Sequence, residues 1–230
     1  YDSFNAFFTR ALQPGARPPP RDPAAIACPA DGALSQHGAI DAGRLFQAKG
    51  LDYRLDELVG DPAWAGRFAG GSFATIYLSP RDYHRVHMPA TGRLRAMLHV
   101  PGRLFSVNRA TASLVPRLFA RNERVVCLFE GDAGPFALIL VGAIFVGGME
   151  TVWAGEVTPA RGQPPRRHYG DENPVDLTRG AEMGRFNMGS TVILLFPPGA
   201  VTWDGALAPG VPLRMGQALG RWDTVANLVD

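Results

Sequence analysis

A Gly-Ser-Thr triplet leads directly into an apolar run in the stretch Phe186-Asn187-Met188-Gly189-Ser190-Thr191-Val192-Ile193-Leu194-Leu195-Phe196. The apolar and partly β-branched run after Thr191 predicts a strand that is buried in the core. Ser190 stands at the start of this strand, and Gly189 allows another group to approach the Gly-Ser peptide bond closely. Taken alone, the stretch is more typical of a Gly-Ser turn before a core strand than of a reactive site. A reactive role for Ser190 therefore requires candidate acid and base residues elsewhere in the chain.

A second stretch, residues 77–89, concentrates titratable side chains between two prolines. It contains Asp82, His84 and His87, and Pro80 and Pro89 bound them. A metal site made by these three side chains is a weak alternative, because no second ligand cluster is visible and the prolines leave little room for a helix. The two histidines could also be core or capping residues. The sequence predicts no metal here.

A third stretch, Cys28-Pro29-Ala30-Asp31-Gly32, places a carboxylate before a glycine, which by itself is most often a turn. In this order, the three stretches resemble the phosphatidylserine decarboxylase family of the bacterial and mitochondrial type. The resemblance runs from about residue 3 to the segment around Gly216 and includes four further strings. These strings are Phe4–Arg10, Leu104–Asn108, Asn122–Arg124 and Glu150–Gly155.

The resemblance implies that the chain cuts itself between Gly189 and Ser190 and converts Ser190 into a pyruvoyl group. Serine is a weak nucleophile that needs a base, and the base needs an orienting acid. The family pattern assigns these roles to His87 and Asp31. The hydroxyl oxygen would attack the carbonyl of Gly189, and elimination followed by hydrolysis would release ammonia. The products would be a β chain, residues 1–189, and a pyruvoyl-headed α chain, residues 190–230.

The implied reaction is the conversion of phosphatidylserine to phosphatidylethanolamine and CO₂. The substrate amine would form a Schiff base with the pyruvoyl ketone, which acts as an electron sink. His84 is expected to protonate the former α-carbon or to position the carboxylate, because the pKa of histidine lies near operating pH. Asp82 is expected to tune or orient His84. The cofactor is thus the pyruvoyl group derived from Ser190, without a metal.

The length allows one large folded domain or two small ones, and the resemblance implies a single catalytic domain over residues 1–230. The chain is 46% hydrophobic and 19% charged, and its 27 glycines and 20 prolines favour many short strands joined by turns. The expected class is strand-dominated α+β with a single core and short peripheral helices. The resemblance, and not the composition, implies a β core like a barrel-sandwich hybrid. Cys28 and Cys127 have no metal-ligand spacing and are expected to be reduced core residues.

Hydrophobic periodicity predicts three helices, several strands and one long polar loop. The helices are expected over 3–12, with Ser3 as the N-cap, over 54–59 and over 110–120. The strands are expected over 75–78, 94–100, 124–129, 136–145, 151–157 and 192–196, with others in 26–47 and 201–230. Residues 161–176 are expected to form the surface loop.

The expected partner is phosphatidylserine in a membrane, and the net charge of +2 is too small to argue for nucleic acid. No apolar run reaches transmembrane length. Family members usually carry an N-terminal apolar segment, which this sequence, beginning at Tyr1, is expected to lack. The expected location is peripheral, on the cytoplasmic face of the inner membrane. The two self-cleavage chains would form a heterodimer, and a homodimer of these heterodimers remains open.

Three other functions remain open on the sequence. One is a pyruvoyl-dependent decarboxylase for a soluble amino acid. Another is a serine hydrolase that uses Asp31, His87 and Ser190 without cutting itself, although no Gly-x-Ser-x-Gly elbow surrounds Ser190. The last is a non-catalytic lipid-binding or carrier-like module.

Overall fold

Short strands make up most of the regular structure. The computed structural model describes residues 1–144, 148–158, 166–187 and 190–223, and for Ser190 its main chain only. Five short helices occur in these residues: α1 (Phe4–Phe8), α2 (Leu55–Val59), α3 (Pro62–Gly66), α4 (Arg109–Ala112) and α5 (Leu118–Arg121).

The same residues contain 18 strands. The first nine are β1 (Ala25–Ala27), β2 (Gly32–Ala39), β3 (Arg44–Ala48), β4 (Leu51–Arg54), β5 (Ser72–Leu78), β6 (Arg85–His87), β7 (Gly92–Val100), β8 (Arg124–Gly131) and β9 (Gly134–Gly142). The others are β10 (Met149–Thr151), β11 (Gly155–Thr158), β12 (Arg166–His168), β13 (Asp176–Leu177), β14 (Glu182–Phe186), β15 (Ser190–Phe196), β16 (Val201–Trp203), β17 (Pro212–Leu213) and β18 (Ala218–Trp222).

The largest sheet has nine strands, and β15 lies in its interior. Its order is β12-β7-β8-β9-β15-β5-β2-β17, and β13 also pairs with β7. Strand β15 is antiparallel to β9 on one side and to β5 on the other. This placement satisfies the main-chain groups of a strand that is apolar along its length, so the predicted buried strand is confirmed.

Each face of this sheet carries its own hydrophobic core, because successive strand residues point to opposite faces. Val192 and Leu194 belong to one core, whereas Ile193 and Leu195 belong to the other. All four side chains are fully buried, and burial of each contributes roughly 1.5–3 kcal/mol. The second core is closed by short helices, which supply residues such as Leu58.

A four-stranded sheet of order β11-β10-β14-β6 covers the first core. Val86 of β6, Met149 of β10 and Phe186 of β14 are buried in the same cluster as Val192. The short strand β6 is therefore held beside the large sheet, and this packing positions the two histidines that flank Val86 in sequence.

The predicted class, strand-dominated α+β with short peripheral helices, is confirmed. The path of the large sheet does not close on itself within the described residues. Cys28 and Cys127 are both buried and free, as expected. No helix in the described part of the chain is long and apolar enough to cross a membrane.

Several element boundaries differ from the sequence predictions. The N-terminal helix ends at Phe8, although Ser3 caps it as predicted. The helix expected over 110–120 is two helices, α4 and α5, because Pro116 lacks an N–H and Arg117 has a left-handed φ of 56°. The strand expected over 151–157 is also two strands, β10 and β11, which meet at a turn that ends on Gly155 with φ 65°.

The predicted loop over 161–176 contains a strand in its described part. Residues Arg166–His168 form β12, which pairs with the edge strand β7. The sequence of β12 shows no alternation of apolar and polar residues that would predict a strand. The pairing instead follows from the free main-chain edge of β7.

At Gly32 the main chain of β2 lies close to the main chain of β5, and a substitution there should destabilise the fold. A Cβ at this position would lie 2.3 Å from the Tyr77 carbonyl oxygen. We expect Gly32→Ala to lower the free energy of unfolding by about 1–3 kcal/mol, because the strands must separate to admit the methyl group. Gly66→Ala is the control, since a Cβ there meets nothing within 4 Å. Equal urea midpoints for both variants and the unchanged chain would contradict this prediction.

Candidate active site

Strands β6 and β14 bring the histidine segment alongside the chain that leads to Ser190. In this antiparallel pair Glu182 lies opposite His87, and the Phe186 N–H donates to the His84 carbonyl at 3.0 Å. The next residue, Asn187, donates its N–H to the Gly148 carbonyl at 2.9 Å. The main chain is therefore fixed up to Asn187.

The chain resumes as a fixed strand at Ser190. The main chain of Ser190 is in register with Leu78 of β5 and Gly142 of β9. Gly189, the other half of the expected cleavage bond, lies outside the described residues. Asp31 precedes β2, which pairs with β5, so it lies two strands away from the start of β15.

His84 is fully buried and has one ring nitrogen without a partner. Its Nδ1 lies 2.8 Å from the Asp82 carbonyl oxygen, and a carbonyl only accepts, so Nδ1 carries the hydrogen. Nε2 is then left with a lone pair, and it has no hydrogen-bond partner among the described residues. Burial lowers the pKa of His84, because the imidazolium loses its hydration. The ring is thus neutral at pH 7.

Helix α1 packs an aromatic ring against His84. The Phe8 and His84 ring centroids are 4.0 Å apart, and Phe8 is 4% exposed. Arg85 fixes the end of the helix by donating its Nε to the Thr9 carbonyl at 2.8 Å. The N-terminal helix therefore covers one face of the imidazole and shields it from water.

Asp82 contacts His84 through its main chain and not through its carboxylate. The carboxylate accepts the Ser79 N–H at 2.7 Å and closes the turn between β5 and β6. The main-chain carbonyl oxygen of Asp82, and not its carboxylate, therefore lies at Nδ1 of His84.

Both ring nitrogens of His87 are engaged. Nδ1 donates to the Gly180 carbonyl at 2.9 Å, so Nε2 must accept, and the Tyr83 hydroxyl donates to it at 2.9 Å. Burial lowers the pKa of His87, while it raises the pKa of Tyr83 to about 12. At neutral pH both groups are therefore uncharged.

Asp31 lies near His87, but the two side chains do not form a hydrogen bond. One Asp31 oxygen accepts the Met215 N–H at 2.7 Å, and the other faces Arg17 at 3.3 Å. The loop before Asp31 does contact the histidine, because the His87 N–H donates to the Pro29 carbonyl at 2.8 Å. The negative charge of Asp31 acts to raise the pKa of His87, against the larger lowering by burial.

Possible metal ligands are not gathered in the described residues: no three His, Cys, Asp or Glu side chains there could hold one ion. The Asp82 carboxylate instead accepts a main-chain N–H, His84 Nδ1 faces a carbonyl, and the two ring nitrogens of His87 contact a carbonyl and a hydroxyl.

Sequence reasoning missed three residues that define the site. Tyr83 lies inside the histidine segment, and its spacing of four from His87 was available as a signal. Phe8 lies inside the predicted N-terminal helix, and nothing in its position along the chain connects it to His84. Gly180 belongs to no motif, and only the fold shows that its carbonyl meets His87.

The geometry defines a strand-rich protein in which two neutral histidines, His84 buried and His87 half-buried, lie on the segment that pairs with the chain leading into a central strand. The sequence model described as phosphatidylserine decarboxylase matches residues 4–221. A phosphatidylserine decarboxylase proenzyme of Pseudomonas putida (strain GB-1) is 60% identical over 222 residues, which are 95% of this chain and 77% of that protein. One of Azotobacter vinelandii is 60% identical over 224 residues, covering 96% and 78%. The chain belongs to the phosphatidylserine decarboxylase family.

Proposed function

We propose that this chain is a precursor that cuts itself between Gly189 and Ser190, converts Ser190 into a pyruvoyl group, and then decarboxylates phosphatidylserine to phosphatidylethanolamine. One observation carries the proposal. The main chain is anchored on both sides of the proposed bond, at Asn187 and at Ser190, and the strand before Asn187 pairs with the segment that carries the buried His84 and the half-buried His87. The names of the relatives support the substrate and the precursor state.

Self-cleavage begins when the Ser190 hydroxyl oxygen attacks the Gly189 carbonyl and its proton passes to His87. The peptide C–N bond breaks and the Ser190 nitrogen becomes an amine, so an ester replaces the amide. Removal of the Ser190 α-proton then expels the Gly189 carboxylate and leaves dehydroalanine. Its imine tautomer is hydrolysed by water to a ketone and ammonia. The chain ending at Gly189 gains one carboxylate, and the new chain has no N-terminal amine.

His87 is suited to the base role because its Nε2 holds a lone pair at neutral pH. The Tyr83 hydroxyl must rotate away from Nε2 before that nitrogen can accept the proton of Ser190. Asp31 then stabilises the imidazolium electrostatically rather than through a hydrogen bond. Gly180 keeps the ring in the required tautomer, a role that carboxylates fill in other serine sites.

The residues around Ser190 also fit the group that would form there. A pyruvoyl ketone supplies an electron sink for the electrons left when CO₂ departs. Nε2 of His84, which has no partner among the described residues, takes up a proton and delivers it to the carbon that has lost CO₂. The lowered pKa makes the protonated ring a stronger acid, and so a better donor.

The two chains would remain together as a heterodimer after the cut. Residues 190–196 form a strand with partners on both sides, and its apolar side chains fill both cores. Separation would expose this strand to water, and we therefore assign residues 1–189 and 190–230 to one catalytic unit.

Helix α1 supports action at a membrane surface. Phe4 and Phe7 expose 64% and 46% of their area, while Phe8 of the same helix contacts His84. Exposed aromatic rings on a short helix suit the interfacial region of a bilayer. The location we propose is peripheral, on the cytoplasmic face of the inner membrane.

Release of CO₂ from two substrates tests the function. The purified chain is incubated with vesicles containing phosphatidylserine, or with free serine, and CO₂ and phosphatidylethanolamine are measured. We expect CO₂ from the lipid and none from serine. CO₂ from serine would instead support a soluble amino acid substrate. A hydrolase would remain one band on a denaturing gel, and a binding module would retain lipid without releasing CO₂.

Self-cleavage should depend on pH through His87. Because burial lowers its pKa below the ordinary 6.5, the neutral base predominates at pH 7. The cleavage rate should therefore be constant from pH 7 to 8 and fall about tenfold per unit at pH well below a midpoint that is under 6.5. Processing half-times measured across this range check the profile. Asp31→Asn should move the midpoint to lower pH, because it removes a favourable charge. A midpoint above 7 would contradict the assignment.

A further inference from the structure

A carboxylate on β10 holds the last described residue before the proposed cleavage bond. Glu150 accepts Arg185 Nε at 2.9 Å through one oxygen and Asn187 Nδ2 at 2.9 Å through the other. Strand pairing places Glu150 opposite Arg185, so the contact is built into the register of β10 and β14. Neither the family strings nor the histidine chemistry assigned Glu150 a role.

The carboxylate fixes which way the Asn187 amide points. An ionised carboxylate only accepts hydrogen bonds, so the atom facing it must be the NH₂ group. The carboxylate stays charged, because the hydrogen bonds from Asn187 and Arg185 lower the pKa of Glu150 against the raising effect of burial. The amide oxygen of Asn187 is consequently turned away from Glu150. It is buried and has no hydrogen-bond partner among the described residues.

This arrangement is not what packing alone would favour. Among the described residues the Asn187 Oδ1 lacks a partner, and a buried acceptor in that state costs about 1–3 kcal/mol, which an apolar side chain would avoid. The Asn187 main chain is also anchored, by its N–H to the Gly148 carbonyl. Gly148 also leaves room for the amide, because a Cβ there would lie 3.2 Å from Asn187 Nδ2. Gly148 thus holds the main chain of Asn187, and Glu150 holds its side chain.

We propose that Glu150 is a positioning residue for self-cleavage, which acts through Asn187 to hold the main chain entering the Gly189–Ser190 bond. The inference rests on the proposed function. Ser190 is fixed from the other side by β5 and β9, so only two residues separate the two anchors. Holding both ends limits the orientations of the scissile carbonyl relative to the Ser190 hydroxyl. Once the bond is cut, this constraint has no further use.

The test compares the processing half-time with the activity of the mature enzyme. Asn187→Ala and Glu150→Ala should slow self-cleavage by about tenfold to a hundredfold, since misplacement by about 1 Å can cost this much. CO₂ release per pyruvoyl group in the fully processed fraction should stay within about twofold of the unchanged enzyme. Glu130→Gln is the matched control, because it disrupts the Glu130–Arg67 pair at the far end of the large sheet.

Exchanging the hydrogen-bond donor and acceptor between positions 187 and 150 distinguishes a positioning role from an effect on fold stability. Asn187→Asp places two carboxylates together and should slow cleavage strongly. Adding Glu150→Gln restores one hydrogen bond with donor and acceptor exchanged, and the double variant should regain most of the lost rate. Processing within twofold of the unchanged chain in both alanine variants would overturn the proposal, as would rates that follow Tm alone. If the unchanged chain itself never cleaves, the proposed function fails instead.

Discussion

Ser190→Ala should leave the chain uncut and without decarboxylase activity. The variant has no hydroxyl to attack the Gly189 carbonyl and no atom from which the ketone could form. We expect CO₂ release from phosphatidylserine to fall by a factor on the order of 10⁴ or more. The fold should persist, because alanine retains the main-chain pairing of position 190 with Leu78 and Gly142. A denaturing gel, a Tm and a CO₂ assay on one preparation measure all three properties.

Ser113→Ala is the control for this variant. The Ser113 hydroxyl donates to the Arg109 carbonyl on an exposed helix, so its loss should alter neither cleavage nor activity. Two bands from the Ser190→Ala chain, or decarboxylation by an uncut chain, would show that position 190 is not the source of the reactive carbonyl.

His87→Gln and His84→Gln should fail at different stages. His87→Gln removes the proposed base, and we expect self-cleavage to slow by about 10²–10⁴-fold. His84→Gln should be cut at close to the normal rate, yet its CO₂ release per α chain should fall by about 10²–10⁴-fold, because no proton donor remains. A gel time course and a CO₂ assay normalised to the α chain distinguish the two stages.

His168→Gln provides the reference for these variants, because His168 is exposed on the edge strand β12. The division of roles is wrong if His84→Gln remains uncut while His87→Gln matures normally. In that case Nε2 of His84, and not the Tyr83-bound nitrogen of His87, would be the base for self-cleavage.

The central strand was predictable because its signal is local. An uninterrupted apolar run after Thr191 requires burial on two faces, and only an interior strand of a sheet covered on both sides provides it. The Ser3 cap was visible for the same reason, since a cap acts within three residues. The breaks at Pro116 and Gly155 carried local signals too, but the apolar patterns around them suggested continuous elements.

The contacts that complete the site could not be predicted from the sequence. Several of them are made by main-chain carbonyl oxygens, and others join residues that are far apart in the sequence. Gly180 and Asp82 use carbonyl oxygens, which every residue carries, so no residue type marks them. Phe8 reaches His84 only because α1 folds back over β6. The sequence pointed to Asp31, His84 and His87 as candidates and paired His87 with Asp31 directly, whereas the structure places Gly180 and Tyr83 on the ring nitrogens of His87.

Intact-mass measurement of freshly purified protein tests the central claim most directly. The account predicts two chains, residues 1–189 with a free carboxylate and residues 190–230 lighter by one ammonia than a chain that begins with serine. Hydroxylamine or borohydride should shift only the smaller chain, because only it carries a ketone. A single unmodified chain of 230 residues that still releases CO₂ from phosphatidylserine would contradict the account.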